Sequence, residues 1–313
     1  MDEVKSLLDA VRYFSDLNAC FRYMLGIKFP DGNVTCPHCS GEKIGLINSR
    51  RMLQCKSPNC RKQFSAKVGT IFEDSPLGLD KWFVAVWCIA NDKNGISSCE
   101  LARALGTTQK TAWFMLHRIR SAMSTKTFKK LSGEVESDET FIGGAGQNMH
   151  VSKRRKGRGA VGKAIIQGLL ERGGEFRGAV VCDTTRETLC GQVKKHVETG
   201  ASIYTDAAPS YASLRDTYIH EIVDHAKCYV RGRVHTNGLE NFWSCLKRTI
   251  HGTYVHVAPF HLFRYLAEQT YRYNARKLTD AMRFRRVMLA VAGKRLTYRE
   301  LTAQDCAGFM GIA

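Results

Sequence analysis

The chain has 313 residues, 44% of them hydrophobic, which suffices for at least one full core and suggests two or three domains. Forty-seven Lys plus Arg against 29 Asp plus Glu leave a net charge of +18, and that excess predicts a polyanionic partner, nucleic acid before a membrane surface. No stretch approaches the roughly 18 uninterrupted apolar residues of a spanning helix, and the acidic, helix-like N-terminus lacks a signal-peptide pattern, so a cytoplasmic protein with reduced thiols is expected.

Residues 4 to 25 carry apolar positions at helical spacing, from Val4, Leu7 and Leu8 to Met24 and Leu25, before the turn-like "FPDGN"; 1–30 therefore read as a helical lead-in. Over 31–70, Cys36, Cys39, Cys55 and Cys60 form the spacing C-x2-C-x15-C-x4-C, separated by a basic, polar stretch suited to a small hairpin. Two tight turns can present four thiolates tetrahedrally to one soft ion, which is what structural Zn2+ needs, and so polar a segment has no other core. His38 is surplus to that set and reads as a surface residue. Cys88 and Cys182, in apolar runs, read as core residues.

Residues 71–130 read as a helical DNA-binding domain. "LDKWFVAVWCIA", Leu79 to Ala90, is apolar nearly all round and predicts a buried helix. Ser97 with Glu100 fits a capping box, Gly106 breaks the pattern, and Thr107 or Thr108 starts a further helix with Ala112, Leu116 and Ile119 facing inward. Two helices around a short Gly turn suggest a helix-turn-helix, which would bring Thr108, Gln109 and Lys110 to base edges; a three-helix packing unit without DNA is the plainer alternative.

After Ser132 and Gly133, "EVESDETFIGG" reads as a strand with Asp138 near its middle and Glu139 on the opposite face, so only one of the two acids can join a given site. "KAIIQGLLER" and "EFRGAVVCDTT" around "GGE" predict an antiparallel hairpin, 186–198 a helix, "SIYTDAAPSY" a strand ending at Asp206, and "HEIV" a short further strand. Asp206 also suits the start of a turn, and Asp183 in "VCDTT" is a decoy of the same appearance. In "HTNGLENFWSCLKR", Asn237 at the N-cap and Glu240 three residues on resemble a capping box. Residues 240, 244 and 247 share one helix face, which sets Lys247, with Arg248 next to it, near Glu240 and suits a passing DNA phosphate. Lys153, Arg154, Arg155, Lys156 and Arg158 fill a glycine-flanked loop that reads as a clamp on the DNA backbone. His235 is a candidate for positioning water or a phosphate oxygen, with His251 and His256 weaker ones. Trp243 and Tyr271 read as core aromatics, and the basic helical tail, 276–313, is expected to pack on the domain before it.

Three strands, a helix, a strand and a later helix over 133–275, with acids on the first strand, after the fourth and on the last helix, make the plan of the ribonuclease H-like fold. The fold class is thus α/β multidomain: zinc ribbon, helix-turn-helix, then a mixed-sheet domain. Carboxylates gathered from separate elements suit a pair of hard Mg2+ ions about 4 Å apart, which serve phosphodiester transfer.

The stretches "FPDGNVTCPHC", "LARALGTTQKTAWFMLHRIR", "DETFIGG", "RRKGRGAVGK", "YTDAAPSY", "HTNGLENFWSCLKRTIHGTYVHV" and "YLAEQTYRYNAR" occur in one order over nearly the whole chain. In them the sequence resembles the bacterial insertion-sequence transposases with a zinc ribbon, a helix-turn-helix and a DDE domain, relatives of the Merlin DNA transposons. The resemblance implies Asp138, Asp206 and Glu240 as catalytic acids holding two Mg2+ or Mn2+, with Asn237 an alternative third residue or helper. Ala207 departs slightly, standing where that family often has Gly. Also implied are cleavage at the ends of an element, joining of a 3'-hydroxyl to target double-stranded DNA, a DNA-bound homodimer or larger assembly, and association with the nucleoid. A DNA-binding regulator with an inactive domain and a metal-dependent nuclease are the rival readings.

Overall fold

The computed structural model describes residues 4–124, 129–144, 162–206, 208–223 and 235–303. They fall into two compact units, one of the described residues up to Met123 together with Lys277–Ala303 and one of those from Ser124 to Arg276. No helix among the described residues is long and apolar enough to cross a membrane.

In the first unit the helical lead-in is two helices, α1 (Leu7–Phe14) and α2 (Leu17–Lys28). The break falls at Ser15 and Asp16 because Asp16 turns its side chain to the Asn18 N–H, ending one helix and capping the next. A three-stranded antiparallel sheet follows, β1 (Ile44–Ile47), β2 (Met52–Cys55) and β3 (Gln63–Ser65), so the expected hairpin gains a third strand. Helix α3 (Leu79–Asn91) buries Trp82, Phe83, Val86, Trp87 and Ile89, as its apolar circumference requires. Helices α4 (Ser98–Leu105) and α5 (Gln109–Met123) are separated by Gly106 at φ 59°, a left-handed turn that glycine makes without a Cβ penalty. Ser97 and Glu100 form the expected capping box.

The tail's expected packing is corrected. Residues Lys277–Ala303 belong to this first unit, where α9 (Asp280–Leu289) sets Phe284 against Phe14, Phe83 and Trp87 at ring separations of 5.1, 6.0 and 5.7 Å. Aromatic rings bury large apolar areas, so this cluster outweighs chain adjacency in deciding where the tail goes. A short helix, α10 (Tyr298–Thr302), follows.

The second unit holds a five-stranded mixed sheet in the order β6-β5-β4-β7-β8: β4 (Glu134–Ile142), β5 (Ala164–Glu171), β6 (Phe176–Val181), β7 (Ser202–Asp206) and β8 (Ile219–Val223). The first three strands are antiparallel neighbours, and β7 and β8 add on parallel to β4. This is the mixed sheet that the ribonuclease H-like plan predicts. One face packs on α6 (Arg186–His196) and the 3-10 turn Pro209–Asp216 through Val135, Leu169, Leu189, Ile203 and Tyr211. The other packs on α7 (Asn237–Thr249) and α8 (Leu262–Asn274) through Ile166, Leu170, Phe176, Phe242 and Leu266. Alternation along β4 therefore turns Val135 and Ser137 toward α6 and Glu136 and Asp138 toward α7.

Candidate functional site

The sheet register brings the first two acids together. Strand β4 pairs with β7 at Glu134↔Ser202, Val135↔Ile203 and Glu136↔Tyr204. Carried two residues further, that parallel register sets Asp138 level with Asp206 on the same face of adjacent strands. The third acid comes from above: α7 lies on this face, and the Trp243 Nε1–H donates to Asp138 Oδ2 at 2.9 Å. Gly168, paired with Asp138 across β4 and β5, makes this contact possible, since a Cβ there would stand 2.6 Å from the Trp243 ring. Trp243 is therefore buried, as expected, but also a ligand of the first acid.

Asp138, Glu139, Thr140, Glu240, Trp243, Ser244, Lys247, Arg248 and His251 line an open hollow of about 600 Å³. The predicted helix face is present: Glu240, Ser244 and Lys247 all open into it. Burial pushes the Asp138 carboxyl up to about 6, against the hydrogen bonds from Trp243 and at the Glu139 backbone, and the Asp206 and Glu240 charges push the same way. Glu139 is pushed up to about 8 by burial, with Asp138 and Asp206 adding. Its carboxylate accepts a hydrogen bond from the Tyr211 hydroxyl on the α6 side of the sheet, so it does point opposite to Asp138.

Mutual repulsion among partly buried carboxylates is what a divalent cation with oxygen ligands relieves, so the donor set fits one. Among the described residues, only the four cysteines bring three or more metal-ligating groups within 4.8 Å of one another, so the acids stand wider apart than ligands closed around one ion. Asp206 also makes the turn foreseen for it, its Oδ1 accepting the Ala208 N–H at 3.1 Å. Asp183 is tied to Thr185 N and Oγ1 at 3.0 and 2.7 Å, ahead of α6, as a decoy should be.

The capping box in α7 is corrected. Thr236, not Asn237, is the N-cap, and no side chain of the helix caps it. The Leu239 N–H, third in the helix, is accepted instead by Glu136 Oε2 of β4 at 3.0 Å. Glu240 is exposed and released from capping, as is Asn237 beside it. Glu136, which sequence reasoning passed over, is 1% exposed and also meets Arg172 Nε at 3.1 Å and His235 Nδ1 at 3.4 Å. The available signal was an acid on the same β4 face as Asp138, a face that α7 covers.

In the first unit, the Sγ atoms of Cys36, Cys39, Cys55 and Cys60 all lie within 4.8 Å of one another. Cys36 to Cys60 is 3.8 Å and Cys39 to Cys55 is 3.6 Å. A tetrahedron with Zn–S bonds of about 2.3 Å has edges of about 3.8 Å, so the four thiols fit one structural Zn2+. His38 is exposed and outside the set. Cys88 is buried as expected, whereas Cys182, just past the end of β6, is exposed beside Asp183, its Sγ 3.4 Å from Asp183 Oδ2.

The predicted DNA-facing residues at the start of α5 are exposed and locally anchored. Thr108 Oγ1 accepts the Thr111 N–H at 3.2 Å, Gln109 Nε2 donates to Ser98 Oγ at 2.8 Å, and Lys110 Nζ stands 4.8 Å from the Tyr298 ring centre. Ala112, Leu116 and Ile119 are buried. Lys153, Arg154, Arg155, Lys156, Arg158 and Ala207 lie outside the described residues.

Residues 130–274, which contain the sheet and all three acids, match the ISXO2-like transposase domain. Residues 16–63, which contain the four cysteines, match the transposase zinc-ribbon domain. Two separate regions of the chain thus match domains of insertion-sequence transposases. A relative of this chain is an uncharacterized protein in transposable element ISH50 of Halobacterium salinarum, 27% identical over 231 residues, or 69% of this chain and 77% of that one. Among solved structures, a chain of the Mos1 strand transfer complex matches at 12% identity, over 66% of this chain and 73% of the Mos1 chain, with a TM-score of 0.25.

Proposed function

We propose that this protein is a transposase, which cuts DNA at the ends of its element and joins the freed 3'-hydroxyl to target DNA. The observation that carries the reading is that Asp138 of β4 and Glu240 of α7 line one open, cation-bordered hollow inside the matched domain, with Asp206 close enough on the adjacent strand for its charge to act on Asp138. Asp138, Asp206 and Glu240 would hold two Mg2+ or Mn2+ ions, which supply activation of the attacking oxygen and charge stabilisation of the leaving one. Trp243 fixes the Asp138 carboxylate through its indole N–H, and so fixes the direction in which the remaining lone pairs point. Lys247 and Arg248 draw the phosphodiester to the mouth of the hollow, and exposed Asn237 assists beside Glu240. No nucleophilic side chain of the protein is needed for the reaction.

In the same proposal Thr108, Gln109 and Lys110 meet the element ends, the basic run Lys153 to Arg158 clamps the backbone, and two or more copies assemble on DNA so that two ends can be joined. The work is done at the nucleoid, in the cytoplasm. The test compares wild type with Glu240→Gln for Mg2+- or Mn2+-dependent cutting and joining of DNA bearing the element ends, alongside thermal unfolding. Because Glu240 is exposed and caps nothing, Tm should move by less than about 1 °C while activity falls by at least about a thousandfold. Equal cutting by both proteins would remove Glu240 from the site and turn attention to Asn237. Cutting without joining would leave a nuclease, and no cutting by the wild type would leave a DNA-binding regulator.

A further inference from the structure

Helix α7 carries Glu240 but has no side-chain cap of its own, and what holds its first turn is a buried ionic brace. Glu136 accepts the Leu239 N–H at 3.0 Å with one carboxylate oxygen and Arg172 Nε at 3.1 Å with the other. Arg172 also donates to the His235 carbonyl at 2.9 Å, so the chain entering the helix and the helix's first turn are tied to a single pair. That guanidinium is set in turn by Glu134, 3.7 Å away, and by the Tyr204 ring, 4.3 Å beneath it, while the Tyr204 hydroxyl bonds Glu134 at 2.8 Å. A carboxylate buried in this way is offset by a guanidinium and by the positive end of a helix, the two partners that make such burial tolerable.

The placement matters because Glu136 and Asp138 are two residues apart on one face of β4, and Leu239 precedes Glu240. One strand thus bears the first acid and the anchor for the third. A second tie, Trp243 to Asp138, follows one helical turn on from Leu239. Gly238 makes the approach close enough: a Cβ there would lie 2.5 Å from Leu170 Cδ2 and 2.7 Å from Glu136 Oε2.

We infer that Glu136 is a positioning residue, which through the Leu239 amide sets Glu240 at the height over β4 where it shares a cation with Asp138. The inference rests on the reading of Glu240 as the third acid. It is tested on the full chain by Mn2+ binding, read by electron paramagnetic resonance without DNA, and by hydrogen exchange at the Leu239 amide. Glu136→Met, which has no acceptor oxygens, should speed Leu239 exchange at least about tenfold and weaken Mn2+ binding as much as Glu240→Gln does. The double variant should bind no more weakly than Glu240→Gln alone, and Glu136→Gln, which retains an acceptor, should recover much of the Leu239 protection. Gly238→Ala, which pushes on the same contact from the helix side, should reproduce both effects if Glu136→Met does not fold. Unchanged Leu239 exchange, or losses that add in the double variant, would overturn the inference, since a merely structural residue weakens binding independently of Glu240. Undiminished Mn2+ binding by Glu240→Gln overturns the assignment of the third acid and the inference with it. Weakened binding there with normal Leu239 exchange in Glu136→Met overturns the brace alone.

Discussion

Asp138 is a charge kept where the metal-free fold disfavours it. Burial and its acidic neighbours raise its carboxyl from an ordinary 3.8 to about 6, so between those values the folded chain holds a proton that the unfolded chain has released. Stability from this group is therefore greatest below about pH 4 and is lost as pH rises toward 6. Asp138→Asn keeps the shape and an acceptor for Trp243 while removing the charge. It should abolish metal-dependent activity yet raise the stability of the metal-free chain by about 1–3 kcal/mol at pH 8, with little gain at pH 4. Melting curves of both proteins in chelator at the two pH values check this, and an equal effect at both would mean that charge is not what the site strains against. The same residue shows where sequence reading stops. "SDET" marks the acid, but the indole that orients it comes from "NFW" in a later helix, and only a glycine on the neighbouring strand lets it arrive.

At the level of elements, helix ends and strand alternation are local matters and were readable, as Ser97 with Glu100 and the Gly106 break show. Helix α7 is the exception. Its sequence contains a plausible cap in Asn237 and Glu240, and the folded chain uses neither because a better acceptor, the charged Glu136, waits on β4. A capping side chain competes with every tertiary acceptor that can reach the same N–H, and the sequence lists only the local competitor. Helix α9 teaches the same lesson about packing: its apolar stripe says that it will be buried, but not on what. Phe284→Ala, which empties the space between Phe14, Phe83 and Trp87, should cost about 3–5 kcal/mol and act on the unit that contains α1 and α3. Hydrogen exchange that loosens α3 and leaves the β4–β5 pair unchanged is the expected pattern; loosening of the β4–β5 pair instead would contradict this packing.

Over the whole molecule, two compact units divide the chain, and within the first the ribbon has a source of stability of its own. The ribbon's polar strands lean on four thiolates, whereas the mixed sheet is closed on both faces by its own apolar residues. Zinc removal should therefore melt the ribbon and leave the sheet intact: with a strong chelator, calorimetry should lose or lower one transition while amides of β4, β5 and β7 keep their protection. Loss of protection across the sheet, or no change anywhere, would count against that division. The sequence by itself determined the zinc set and the strand and helix plan, because metal spacing, alternation and helical periodicity act between residues close along the chain, whereas the acids were singled out by the family resemblance. Only the tertiary structure decided that Asp138 and Asp206 stand level on β4 and β7, that Glu136 rather than Glu240 caps α7, and that the tail joins the N-terminal helices. Those outcomes turn on which distant groups meet in space, where a buried charge or an aromatic cluster outweighs every preference that neighbours in sequence can express.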